Sequence, residues 1–187
     1  MPSRRHFLQA LGAAGALGLA LALPGCGRER PRSRPVPAGA VVLALGDSLT
    51  WGTGAPSDAS YPAVLARLTG WQVVNAGVPG DTSAQALARL PALLAEHRPA
   101  LVIVSIGGND FLRRLPEVDT RTNVRAICEQ ALQSGAQVLL VAVPRATAAA
   151  AMAQMTDHTL YAEIAGQEPY PADTVLPQDP LYLPVED

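Results

Sequence analysis

Four apolar runs alternate with helix-like segments along the chain, and this alternation limits the possible folds more than any other feature. The runs cover residues 40–45, 71–75, 101–106 and 137–143. The first is continuously apolar, which is typical of a strand buried on both faces of a parallel sheet. The intervening segments are long enough for crossover helices. The order therefore predicts an α/β protein, a three-layer sandwich with helices on both faces of a parallel sheet.

Three connecting segments repeat apolar residues at helical spacing. They cover residues 61–68, 83–97 and 120–134. Thr82 or Ser83 should cap the second helix, and Pro91 should kink or split it, because proline lacks a backbone donor. Cys128 is expected to be a small core-facing or half-buried residue of the third helix. A further helix is expected after Asp157, its N-cap, up to Gly166.

Composition and charge exclude several classes of protein. The 187 residues, 49% of them apolar, suffice for one α/β core. All 14 cationic residues are arginine and six lie in the first 34 positions, so residues 35–187 carry 8 positive against 15 negative charges. This acidic balance gives no reason to expect a nucleic-acid partner. Two cysteines and three histidines argue against a disulfide scaffold or a metal site, and no cofactor is expected.

Residues 1–26 have the pattern of an export signal. Arg4 and Arg5 precede an apolar run over residues 11–23, which resembles a twin-arginine signal. The run ends at Cys26 in a lipobox-like segment, although Pro24 is unusual there. Lipidation of Cys26, cleavage nearby without lipid and an uncleaved anchor all stay open. Each places the chain in the periplasm or cell envelope, the first and last at a membrane.

Residues 27–38 are predicted to be a tether. They contain four arginines and three prolines, a composition that does not pack into a core. Such a segment can lie along anionic lipid. We therefore expect the folded domain to cover residues 39–187.

Polar segments follow the first three predicted strands, at the edge where parallel α/β sheets bind ligands. They cover residues 46–54, 75–83 and 107–110. Ser48 lies in a turn next to glycine, which suits an exposed nucleophile. The N–H groups of Ser48 and Gly77 and the side-chain amide of Asn109 are candidate donors to a developing oxyanion. We expect Gly77 to be glycine because a side chain would block substrate from its N–H.

Other interpretations compete with this one. Each polar segment alone is typical of an ordinary turn. The glycine-rich residues 52–54 also suit a phosphate-binding loop of the flavodoxin kind, although such a loop leaves Asn109 unexplained. Trp51, Tyr61 and Leu112 are candidates for an acyl groove, but core packing is the commoner fate of single aromatic residues.

The three polar segments together resemble those of a known family. Residues 46–49 (GDSL), 75–83 (NAGVPGDTS) and 107–110 (GGND) are similar to the first three blocks of the GDSL, or SGNH, hydrolases. The resemblance spans residues 40 to about 165, and residues 73–99 resemble the periplasmic acyl thioesterase, arylesterase and lysophospholipase branch. It implies a flavodoxin-like sandwich acting on small esters or thioesters. In that family Ser48 would be the nucleophile, and the N–H groups of Ser48 and Gly77 with Asn109 would form the oxyanion hole.

The last block of that family, an Asp-x-x-His that supplies the general base, is absent from these 187 residues. The proline-rich residues 169–187 show no clear fifth strand followed by a helix, so we expect the sandwich to lack both. A truncated or frame-shifted coding sequence would account for this. His97 should lie at the opposite edge of the sheet, and adjacent Asp157 and His158 are poorly placed as a base with its carboxylate. No general base is therefore identified.

Two classes of function remain open. One is an exported serine ester hydrolase that forms an acyl-enzyme on Ser48, impaired by the missing histidine. The other is a non-catalytic acyl-binding lipoprotein or an inactive truncated product. The sequence predicts neither substrate chain length nor oligomeric state.

Overall fold

A single parallel sheet organises the chain in the computed structural model, which describes residues 34–144 and 158–166 and the backbone of 175–176. The strands are β1 (Val41–Gly46), β2 (Gln72–Gly77), β3 (Leu101–Ser105), β4 (Gln137–Val141) and β5 (Val175–Leu176). Their spatial order is β2-β1-β3-β4-β5, with every neighbouring pair parallel. This is the order of a flavodoxin-like doubly wound sheet. The predicted α/β class and parallel sheet are confirmed.

Helices connect the strands as expected, together with two short ones that the sequence did not indicate. They are α1 (Ser48–Trp51), α2 (Tyr61–Thr69), α3 (Ser83–His97), α4 (Gly108–Leu112), α5 (Glu117–Gln133) and α6 (Thr159–Gly166). The short helices α1 and α4 follow β1 and β3 directly. Their four and five residues are too few to show a periodic apolar pattern.

Helix α3 shows how local signals and packing combine. Thr82 caps it in a full capping box with Gln85, which confirms the predicted cap. Pro91 lies inside the helix but does not split it. Ala86 and Leu90 are fully buried and hold the helix against the core. Core packing thus offsets the hydrogen bond that Pro91 cannot donate.

The two faces of the sheet carry two apolar clusters. The larger lies under α3, α5 and α6 and contains Cys128, which is fully buried and therefore core-facing, the first of the two predicted alternatives. The smaller lies on the α2 side around Val42 and Ile103. Tyr161 of α6 is fully buried in the larger cluster and donates a hydrogen bond to the carbonyl of Ile106, 2.7 Å away. Helix α6 is thereby fastened to the chain leaving β3.

One expectation is wrong, and the structure adds contacts to a second. The chain carries a fifth strand after all, because Val175 and Leu176 pair with the end of β4; any helix after it lies outside the described residues. Residues 34–38, expected to belong to a solvated tether, contact the domain. The indole N–H of Trp71 donates to the carbonyl of Val36, and the Arg34 backbone exchanges hydrogen bonds with the Gln137 side chain. The side chains of Trp71, just before β2, and Gln137, at the start of β4, thus supply hydrogen-bond partners for this segment. The arginine- and proline-rich composition of the segment does not indicate these contacts.

Residues 1–33, with the proposed signal and Cys26, lie outside the described part of the chain. Within residues 34–144 and 158–166, no helix combines the length and the apolarity needed to cross a bilayer.

We expect Tyr161→Phe to lower the free energy of unfolding by about 1–2 kcal/mol, because the buried carbonyl of Ile106 loses its hydroxyl partner. Urea denaturation measures this. Tyr61→Phe is the control, since its hydroxyl bonds to the Thr50 hydroxyl at 3.1 Å in a partly buried place and should matter less. An equal or larger loss for Tyr61→Phe would contradict the role given to Tyr161.

Candidate active site

Ser48 lies where β1 meets α1. The strand ends at Gly46, and Asp47 caps the helix by accepting the N–H of Leu49 at 3.0 Å. Ser48 is the first residue of α1 and is half-buried. A first helical residue has no acceptor for its N–H within the helix, so this group remains available to a ligand. The local fold therefore places a hydroxyl and a backbone donor of one residue at the carboxyl edge of the sheet.

Gly77 has a different reason to be glycine from the one expected. It ends β2 opposite Gly46, and a Cβ there would lie 2.2 Å from the nitrogen of Trp51 and 2.8 Å from the carbonyl oxygen of Asp47. Its N–H already donates to Asn75 Oδ1 at 3.0 Å. The missing side chain thus lets α1 pack on the strand.

Gly80, three residues further, was missed by the sequence analysis. It is half-buried, has φ +84°, and its carbonyl accepts a hydrogen bond from Arg113 at 2.7 Å. Its N–H has no hydrogen-bond acceptor among the described residues. The signal available in the sequence was a second glycine in the same polar segment, placed immediately before Asp81.

Asn109 joins the three polar segments. It lies in α4, and its Nδ2 donates to the carbonyl of Asp81 at 2.9 Å and, less closely, to Asp47 Oδ2 at 3.4 Å. One amide therefore contacts both the segment after β1 and the segment after β2. The structure brings Asn109 next to the residue that precedes Ser48.

Asp110 fixes the loops around this amide. Its buried carboxylate accepts hydrogen bonds from the backbone N–H and the hydroxyl of Ser83 and from the hydroxyl of Thr120. Asn123 in turn donates to the Ser83 hydroxyl at 3.0 Å. The carboxylate thus joins the start of α3 to α4 and α5, and its role is to stabilise the packing of these helices.

Three acidic side chains lie in the site. Asp47, Asp81 and Asp110 are all buried within it. Burial raises the pKa of Asp47, the hydrogen bond from the Leu49 N–H opposes that rise, and the charges of Asp81 and Asp110 add to it. An arginine, Arg89, pairs with Asp81 at 2.8 Å.

An open cleft of about 280 Å³ lies beside α1 and is lined by Trp51, Gly52, Ala55, Ser57 and Asn75. Trp51 and, on α4, Leu112 are 57% and 69% exposed. Tyr61 instead packs on the smaller apolar cluster, and burial raises its pKa to about 12. Of the three candidates for an acyl groove, Trp51 and Leu112 remain accessible and Tyr61 is largely a core residue.

The His158 ring contacts residues of three helices. Its ring stacks on Phe111 with centroids 4.3 Å apart, and its Nδ1 accepts the N–H of Leu160 at 3.3 Å. Its Nε2 lies 3.6 Å from a carboxylate oxygen of Glu117. This is a residue at the start of α6; Asp157, the expected cap, lies outside the described residues. His97 ends α3, before β3 begins, at the edge of the sheet away from Ser48.

Residues 34–144 and 158–166 hold no group of three histidine, cysteine or acidic side chains placed to bind a metal ion.

Known proteins resemble the chain in sequence. It is 40% identical to Esterase TesA of Pseudomonas aeruginosa over 107 residues, which make up 54% of this chain and 53% of the relative. It is 43% identical over 106 residues to an Escherichia coli protein named thioesterase 1/protease 1/lysophospholipase L1, covering 54% and 50% of the two chains. The chain thus spans about half the length of the curated relatives it matches.

Solved structures share the fold. A crystal structure of TesA superposes with a TM-score of 0.62 at 35% identity over 70% of this chain and 75% of that one. The SGNH-hydrolase family esterase AlinE4 gives 0.56 at 32% identity over 71% and 70%.

The family model for the GDSL-like lipase/acylhydrolase family matches residues 44–173, which include all three polar segments and most of the sheet. With Ser48 at the start of α1 and Asn109 held beside Asp47, the chain belongs to the GDSL-like lipase/acylhydrolase family.

Proposed function

We propose that this chain carries the acyl-transfer site of an ester hydrolase, with Ser48 as nucleophile. The observation that carries the proposal is the placement of Asn109 Nδ2, which is held by a 2.9 Å hydrogen bond to the Asp81 carbonyl and lies 3.4 Å from Asp47 Oδ2, beside the residue preceding Ser48. A nucleophile and a fixed donor at one sheet edge are the two parts that acyl transfer needs. The matching family and the esterase names of its relatives support the same chemistry.

In this proposal the oxyanion hole consists of the N–H groups of Ser48 and Gly80 and the amide of Asn109. Gly80 takes the place first given to Gly77, because the Gly77 N–H is bonded to Asn75 and the Gly80 N–H is open. The long 3.4 Å contact of Asn109 with Asp47 is the one that an oxyanion would replace. The shorter bond to Asp81 would keep the amide in place.

The reaction follows from these positions. Ser48 Oγ loses its proton to solvent water and forms a bond to the acyl carbon, the carbonyl electron pair moves to oxygen, and the donors stabilise that charge. Collapse of the intermediate breaks the bond to the leaving alcohol or thiol, which takes a proton, and leaves an ester on Ser48. Water then attacks this ester and releases the acid. A single donor of such a hole is worth about 3–4 kcal/mol in comparable enzymes.

Removal of the Ser48 proton is expected to be the slow step. The 187 residues contain no Asp-x-x-His, and the His158 ring is held between Phe111, Leu160 and Glu117. A serine hydroxyl without a base is a poor nucleophile at neutral pH. We therefore propose slow hydrolysis by this chain, on small esters or thioesters.

Binding without turnover is the second candidate, because the donor groups persist without a base. A phosphate site at residues 52–54 would leave the placement of the Asn109 amide, between Asp81 and Asp47, without a role.

We further propose that the chain is exported and held at a membrane by lipid on Cys26. The contact of Arg34 with Gln137 bears on the orientation that would result. Gln137 begins β4, so the N-terminal segment leaves from the amino edge of the sheet. A tether from Cys26 would then reach the folded domain at the edge of the sheet away from Ser48.

We expect the 187-residue chain to hydrolyse p-nitrophenyl acetate with a low kcat/KM that Ser48→Ala abolishes. A version extended by an Asp-x-x-His segment should be faster by orders of magnitude, because a base would then accept the Ser48 proton. His158→Ala should leave the slow rate unchanged. A loss of activity in His158→Ala equal to that in Ser48→Ala would instead make His158 the base.

We expect Gly80→Ala to remain folded but to lower kcat/KM at least several-fold, because a Cβ at φ +84° shifts the open N–H. Gly54→Ala is the matched control: its φ is +89°, and a Cβ there meets nothing within 4 Å. Both variants place alanine at nearly the same positive φ, so equal stabilities with unequal activities would support Gly80 as a donor. Equal activities would remove it from the oxyanion hole.

We expect the stability gained by Asp47→Asn to grow with pH. Burial raises the native pKa of Asp47 above its ordinary value, so its ionisation destabilises the fold as pH rises through that pKa. Asparagine still caps α1 and does not ionise. Urea unfolding of both proteins at about pH 3.5 and about pH 7.5 gives the difference in unfolding free energy. A difference that falls or stays constant would contradict the raised pKa.

A further inference from the structure

Arg89 lies in the middle of α3, outside the three polar segments of the site, yet it contacts two of them. Its Nε donates to Asp81 Oδ2 at 2.8 Å and its Nη2 donates to the carbonyl of Gly46 at 2.9 Å. Gly46 is the last residue of β1, two positions before Ser48. One guanidinium therefore joins the end of β1 to the segment after β2.

The same guanidinium is linked to the third segment through Asp81. The carboxylate of Asp81 binds Arg89, and the backbone carbonyl of Asp81 accepts the Asn109 amide at 2.9 Å. The position of Asp81 therefore sets the position of the proposed oxyanion donor. Asp81 is fastened at its side chain by Arg89 and at its N–H by the carbonyl of Val78, 3.1 Å away.

Burial makes this pair different from a surface ion pair. The side chains of Arg89 and Asp81 are 24% and 9% exposed, and Asp81 is one of three buried carboxylates at the site. Of the cations among the described residues, Arg89 alone is ion-paired with one of these three. Arginine carries five N–H donors in a rigid planar fork, and two of its nitrogens, Nε and Nη2, donate here to the Asp81 carboxylate and the Gly46 carbonyl. Lysine, with a single ammonium at the end of a flexible chain, is a poor match for that geometry.

We propose that Arg89 is a positioning residue, which holds the Asn109 amide at the distance from Ser48 that acyl transfer requires. Arg89 itself need not touch substrate, because it acts through Asp81 on Asn109 and through Gly46 on the turn that carries Ser48. The proposal rests on the ester-hydrolase function proposed above. A displaced donor lowers the rate of the chemical step more than it weakens substrate binding.

The direct readout is the Asn109 side-chain amide in ¹⁵N–¹H spectra of the full chain, identified by its loss in Asn109→Asp. In the native protein its hydrogens should be shifted by their acceptors and exchange slowly with water. Arg89→Gln should move these resonances and speed their exchange. Arg89→Lys should recover part of both effects, because lysine can still pair with Asp81.

Arg121→Gln is the matched control. Arg121 is also a paired arginine, with 27% of its side chain exposed, but its partners are Glu117 and Glu163 on α5 and α6. We expect this variant to leave the Asn109 resonances in place, even at a comparable loss of stability. If Arg89→Gln fails to fold, Asp81→Asn tests the same link, since it removes the carboxylate and keeps the backbone carbonyl.

Kinetics provide the second readout. Arg89→Gln should lower kcat for p-nitrophenyl acetate by about 10–100-fold with little change in KM, and Arg89→Lys should recover part of it. Native-like Asn109 resonances in both Arg89→Gln and Asp81→Asn would overturn the proposal, as would a change confined to KM. If the resonances move but Ser48→Ala keeps full activity, the ester-hydrolase function fails while the link from Arg89 to Asn109 stands.

Discussion

The close approach of α1 to the ends of β1 and β2 is the constraint on which the rest of the site depends. Gly46 and Gly77 lie opposite each other in the sheet, and neither has room for a side chain. A Cβ on Gly46 would fall 1.9 Å from the Thr50 hydroxyl oxygen, and one on Gly77 would fall 2.2 Å from the Trp51 nitrogen. Because both positions are glycine, the helix that begins at Ser48 rests directly on the strand ends.

That arrangement concentrates charge in a small volume. Three carboxylates converge where the strands end, and each has a separate set of partners: a helix N-terminus for Asp47, Arg89 for Asp81 and the Ser83 and Thr120 hydroxyls for Asp110. Burying such groups without partners would cost more than the fold could offset. Their hydrogen bonds fix the loops in one geometry, and this geometry also holds Asn109.

The sequence predicted the scaffold well, since buried parallel strands such as β1 show as unbroken apolar runs. The short helices α1 and α4 were not predicted, because so few residues carry no periodicity. The roles of Gly77 and Gly80 could not be told apart either. Both are glycines of one polar segment, and only the packing of α1 and the hydrogen bond from Gly77 to Asn75 separate them.

Arg89 shows a second limit of sequence analysis. At a helical position it has the appearance of a solvated charge, and its partners Gly46 and Asp81 are 43 and 8 positions away. The fifth strand was not predicted for a related reason. Only two of its residues pair with the end of β4, and so short a strand cannot be distinguished from a loop in the sequence. In each case the deciding contact is between residues that only the folded sheet brings together.

The proposed site residues come from separate strand-helix units, so their placement does not depend on a general base from elsewhere in the chain. In a parallel sheet each strand delivers its own loop to the carboxyl edge, so Ser48, Gly80 and Asn109 come from the ends of three different strands. Their positions are held by Asp81, Asp110 and Arg89, all of which lie within the first three strand-helix units. A base supplied from beyond β4 would add nothing to those contacts. In the proposed function such a base would accept the Ser48 proton, whereas the contacts of Asp81, Asp110 and Arg89 hold the proposed oxyanion donors.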